Sequence, residues 1–137
     1  VKIASIECGS KWLNRAMVVG PYFTLCTSEQ MFLDETAKLG WHDKSTWAPE
    51  SGARTHHGVN ADGEPTCVVC IRDSAEHDPI PIAGLLVHEA VHIFQRWCDA
   101  HGEQHPSNEF QAYAIQWISQ QLMWEFVRQT GGPRGNT

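Results

Sequence analysis

Positive charge is scarce in this chain. Ten Lys and Arg stand against 16 Asp and Glu in 137 residues, for a formal charge of −6. That balance argues against a nucleic-acid groove and against an anionic membrane surface. No apolar run is long enough to span a bilayer, and no signal peptide is recognisable. The five cysteines, Cys8, Cys26, Cys67, Cys70 and Cys98, are odd in number and scattered, which does not make a secreted disulfide framework. Cys67-Val68-Val69-Cys70 has redox or zinc-ribbon spacing but no second pair, and in a β-rich run residues three apart point to opposite faces. Buried thiols in a reducing compartment are therefore expected, and with them a cytoplasmic (or phage-associated) protein. The sequence starts at Val1 rather than Met, so an N-terminal segment removed from a longer chain is also consistent with it.

What is present fits one globular domain. The apolar fraction of 42% is ordinary for a chain that buries a core. Six tryptophans are many for this length; most are expected in the core, with one or two free to line a cleft. Val1–Glu7 and Met17–Cys26 read as short strands, the second broken by Gly20-Pro21. Thr27 and Gln30 have capping-box spacing before Met31, Phe32, Leu33 and Leu39, and Gly40 supplies a stop, which predicts a helix over 28–39. Residues 41–65 show no period and read as a long loop containing His56 and His57. Thr66–Arg72 is the best strand in the chain. A helix should open at Asp78-Pro79 and run through Trp97, and another should run from Ser107 or Asn108 to Arg128. The expected architecture is α+β: a short sheet packed on the first of these helices and on the C-terminal one, in a single domain over 1–129, with a Gly-rich tail over 130–137.

The second predicted helix carries His88-Glu89-Ala90-Val91-His92. Residues four apart lie on one helical face, so His88 and His92 can grip one metal ion while Glu89 addresses a water on it. A catalytic zinc needs a third protein ligand and an open position. A helix-breaking glycine followed by a third histidine is one completion, but Gln95 and Cys98 stand at those places. In a continuous helix Cys98 lies about 9 Å beyond His92, at 1.5 Å per residue, too far to share its metal. A glutamate from the following helix is the other completion. Glu109 opens that helix and is the preferred third ligand, with His101, His105 and Glu103 as rivals.

On His88-Glu89-x-x-His92 and Asn108-Glu109-Phe110-Gln111-Ala112, the chain resembles the gluzincin branch of the zincin metallopeptidases. More narrowly it looks like the small phage- and bacterium-associated zincins of the ImmA/IrrE type. The likeness covers about residues 66–125 and departs at Tyr113, where the family usually has an aspartate that orients the first histidine. It implies a zincin-like domain with Zn²⁺ held by His88, His92 and Glu109, and a metallopeptidase acting on a peptide or protein substrate. Glu89 would pass a proton from a zinc-activated water to the leaving amine. Tyr113 would steady the oxyanion, with His105, His56 and His57 as further candidates. The strand before the zinc helix, through Cys67, Val68 and Val69, would pair with an extended substrate. The rival expectation is a zinc-containing structural or virion-assembly protein with little hydrolytic activity; an intact Glu89 favours the enzyme.

Overall fold

The computed structural model describes residues 9–13, 21–42, 46–50, 52–72 and 78–131. Six elements follow in the order β1 (Tyr22–Cys26), α1 (Glu29–Leu39), β2 (Ala53–Val59), β3 (Pro65–Ile71), α2 (Pro79–His101) and α3 (Asn108–Thr130). The expected strand Val1–Glu7 and the Met17–Gly20 part of the next lie outside the described residues.

The three strands form one mixed sheet in the order β1-β3-β2, with β1 parallel and β2 antiparallel to β3. β3 is thus central, and both of its faces are covered. That is why Cys67-Val68-Val69-Cys70-Ile71 is apolar without alternation. Cys67, Val69 and Ile71 face α2 and α3 in the larger core, with Phe23, Leu86, Ile93 and Leu122. Val68 and Cys70 face the other way, towards Phe32 of α1 and Trp47. The two cysteines of the C-x-x-C spacing therefore sit in different cores, and both are free thiols. The α+β architecture holds, with α1 covering the second face of the sheet.

Helix ends follow local chemistry. Ser28, not Thr27, caps α1: its Oγ accepts from Met31 N at 3.2 Å. Thr27 Oγ1 donates instead to Gln129 Oε1 at 2.8 Å and so ties β1 to the end of α3. Gly40 ends α1 in the left-handed conformation, φ 75°, where a side chain would be strained. Ser107 caps α3 through Phe110 N, and that helix runs to Thr130, one residue into the expected tail. Near its end, buried Glu125 accepts from Arg128 Nε at 2.9 Å and from Lys11 N at 3.3 Å, while Arg128 Nη2 donates to Gly9 O at 3.0 Å. These bonds hold the 9–13 segment against α3.

The 41–65 stretch is not one loop. Ala53–Val59 is a strand, joined to β3 by a tight turn at Asn60–Glu64. Asn60 Oδ1 accepts from Asp62 N at 3.0 Å and from Glu64 N at 2.9 Å, and Gly63 takes φ 77°. Its sequence, Ala-Arg-Thr-His-His-Gly-Val, lacks an apolar alternation because the strand lies at the edge of the sheet, where one side is polar.

Candidate functional site

α2 packs against the sheet, against α3 and against β2. Its Leu86, Ala90, Ile93, Phe94 and Trp97 face the core. His88 and His92 lie on a different, exposed face and look into a groove of about 340 Å³ between α2 and β2. Ala53, Thr55 and His57 of β2 line one wall, and His88, Glu89, His92, Gln95, Arg96 and Asp99 of α2 line the other.

The two imidazoles converge. His92 Nε2 and His88 Nε2 are 3.3 Å apart. Two Zn–N bonds of about 2.0–2.1 Å at a tetrahedral angle place their nitrogens about 3.3–3.4 Å apart, so the pair is spaced for two corners of one zinc site. Gln95 Oε1 lies 3.2 Å from His92 Nδ1. An amide oxygen only accepts, so this contact is a hydrogen bond in the tautomer with the proton on Nδ1, which leaves Nε2 its lone pair. Glu89, only 2% exposed, lies at the base of the groove. Its Oε2 accepts a hydrogen bond from Thr55 Oγ1, which joins the helix to the edge strand at the level of the histidines.

Other expected members of the site are elsewhere. Glu109 is exposed on the first turn of α3 and does not line the groove. The cause is packing: Phe110 wedges against Phe94 and Trp97, with ring centroids 5.9 and 5.2 Å apart. Pointing Phe110 and Ala114 inward turns the neighbouring Glu109 away, and α3 flanks a side of α2 other than the histidine face. Tyr113 is 66% exposed on the same helix and does not line the groove. Among the rival ligands, His101 stacks on Trp97 and its Nδ1 lies 2.8 Å from Trp97 O; Glu103 borders a separate cavity, and His105 is exposed in the α2–α3 loop. Cys67, Val68 and Val69 are fully buried in the central strand, which is paired on both sides and has no edge for a substrate. His56 turns to the opposite face, against Phe32 and Trp47 O. Of the accessory histidines only His57 reaches the groove.

Gln95, Thr55, Arg96 and Arg54 also line the groove, beyond the residues that the sequence motifs single out. Gln95 is legible in the sequence, since it lies three residues from His92 on the same helical face. Thr55 and Arg54 were hidden with β2.

Among the described residues, no three His, Cys, Asp or Glu side chains come together as a group that could hold a metal ion. The fit is therefore partial: two nitrogens are spaced for a zinc ion, and Glu109 does not join them. No protein-family model, no curated protein and no solved structure matches the chain. The likeness to the gluzincins drawn from residues 66–125, and the narrower one to the ImmA/IrrE type, is accordingly corrected: the shared letters are not accompanied by the family's three-ligand site or by a family match.

Proposed function

We propose that the groove between β2 and α2 is the active site of a zinc-dependent hydrolase acting on peptide or related amide bonds. The observation that carries this reading is the convergence of His88 Nε2 and His92 Nε2, 3.3 Å apart, in a groove also lined by Glu89. Zn²⁺ on the two imidazoles would polarise the substrate carbonyl and acidify a water. Glu89 would accept a proton from a water as the water oxygen adds to the carbonyl carbon, and would deliver it to the departing nitrogen as the C–N bond breaks. The hydrogen bond from Thr55 keeps the Glu89 carboxylate aimed at the groove. A hydrogen bond to Gln95 favours the His92 tautomer that presents Nε2. Substrate is held along β2, the terminal strand of the sheet, whose outer edge meets no further strand among the described residues.

Two substitutions test the assignment. His92→Ala should abolish stoichiometric Zn²⁺ or Co²⁺ binding, read by calorimetry or by the Co²⁺ absorption spectrum. Gln95→Ala should weaken it about 10–100-fold, as loss of a ligand's hydrogen-bond partner does. Glu89→Gln should keep the metal and lose amide hydrolysis, whereas Glu109→Ala should change neither. Metal bound as tightly by His92→Ala as by the native chain would remove the site. Undiminished turnover in Glu89→Gln would remove the mechanism, and a zinc-bound protein with no turnover at all would favour an assembly or structural role.

A further inference from the structure

His88, His92 and Arg96 recur every four residues along α2 and so form a stripe on one side of the helix. Arg96 lines the same groove as the two histidines. Its guanidinium has five donors. Among the described residues only Nη2 finds an acceptor, Gly58 O at a long 3.4 Å, and the buried Nε has none. Among the described residues no carboxylate forms an ion pair with it, whereas Arg128 pairs with Glu125. A half-buried guanidinium with unfilled donors on an open groove is placed to exchange its water for an anion.

We propose that Arg96 is the anchor for a carboxylate, and that the groove takes peptides by their free C-terminal end. This deepens the hydrolase reading and rests on it for the word substrate; the anion site itself stands on Arg96 alone. A planar carboxylate matches the fork of a guanidinium. Glu89 and Asp99 also line the groove, so a single negative charge is tolerated better than the double charge of a phosphate. Four helical residues rise about 6 Å. One extended residue spans about 3.3–3.6 Å. A C-terminal carboxylate seated on Arg96 thus brings the bond one or two residues inward beside His92, which makes the enzyme one that trims chain ends and leaves internal bonds alone.

The test uses the full chain, metal-free in the presence of a chelator so that carboxylate binding to zinc cannot contribute. N-acetyl-diglycine as the free acid, the same compound as its C-terminal amide, and inorganic phosphate are titrated into ¹⁵N-labelled protein. The free acid should shift the Arg96 Nε–H resonance and the Gly58 amide, and should bind at least about tenfold more tightly than the amide or phosphate. Arg96→Gln should lose that preference. Arg96→Lys, which keeps the charge without the fork, should retain only part of it and serves if the glutamine variant does not fold. Equal binding of acid and amide, tighter binding of phosphate, or an undiminished preference in either variant overturns the anchor. Carboxylate binding without any amide hydrolysis by the zinc-loaded protein would uphold the anchor while removing the hydrolase. Equal turnover of acid and amide peptides by that protein would do the reverse.

Discussion

Thr55 shows how much a single side chain can carry in this fold. It sits on β2 opposite Val69 and faces α2, where its hydroxyl meets the Glu89 carboxylate. Glu89 is almost fully buried, and a carboxylate in that position must be hydrogen-bonded or be destabilising. Thr55→Val keeps the shape and removes the donor. It should lower unfolding free energy by about 1–3 kcal/mol, since a buried acceptor loses its partner. A urea titration would show the drop as an earlier midpoint at constant slope, and Thr55→Ser should recover most of it. If the bond also aims Glu89, turnover should fall more in the valine variant than stability loss alone explains, with KM little changed.

At the scale of elements, legibility followed burial. Strand β3 and helices α2 and α3 declare themselves because each fills a core: Val68, Val69 and Ile71 are buried, as are Leu86, Ile93, Ile118 and Leu122. Gly40 and Ser107 mark ends because backbone groups there need a particular residue. The pair His88 and His92, and the place of Glu89 beside them, follow from helical geometry within a single element. Strand β2 was illegible, because Arg54, His56 and Gly58 alternate with Thr55 and His57 and neither set is apolar. The wall of the groove was lost with it. Glu109 failed for a related reason: its helix was placed correctly, but its rotation about its own axis is set by the packing of Phe110 on Phe94 and Trp97. Helical periodicity identifies a face without saying which neighbour meets it. Gly58 provides a test of how β2 is held. A Cβ there would meet the Trp41 ring at 2.9 Å, and that ring is pinned by its Nε1 donating to Val59 O at 2.8 Å. Gly58→Ala should cost about 1–3 kcal/mol through overpacking, read as a lower thermal midpoint. Since Arg96 also reaches Gly58 O, the same variant should alter Arg96 Nε–H in the NMR spectrum before any ligand is added.

The whole molecule responds to pH through its interior thiols. Burial pushes Cys67 from the ordinary thiol value of 9.0 up to about 12, against a smaller opposing pull from Arg96. Burial likewise raises Cys70, with neighbouring Cys26 and then Glu89 adding to it. Neither thiol ionises in the folded chain near neutrality, so both should resist alkylation until the protein unfolds. Below pH 9 the folded and unfolded states hold these protons alike, and the full contribution to stability is present. Above it the unfolded chain releases protons that the folded chain retains, so stability is lost as pH rises through the window from 9 to about 12. Each thiol contributes a slope of at most about 1.4 kcal/mol per pH unit. Urea midpoints measured at pH 8, 9.5 and 10.5 should therefore fall steeply in the native protein. Lysines and tyrosines titrate in the same range, so the comparison that isolates the effect is with Cys67→Ala and Cys70→Ala, each of which should flatten the decline. An equal decline in native and variant proteins would show that ionisation elsewhere, and not the buried thiols on the two faces of β3, limits alkaline stability.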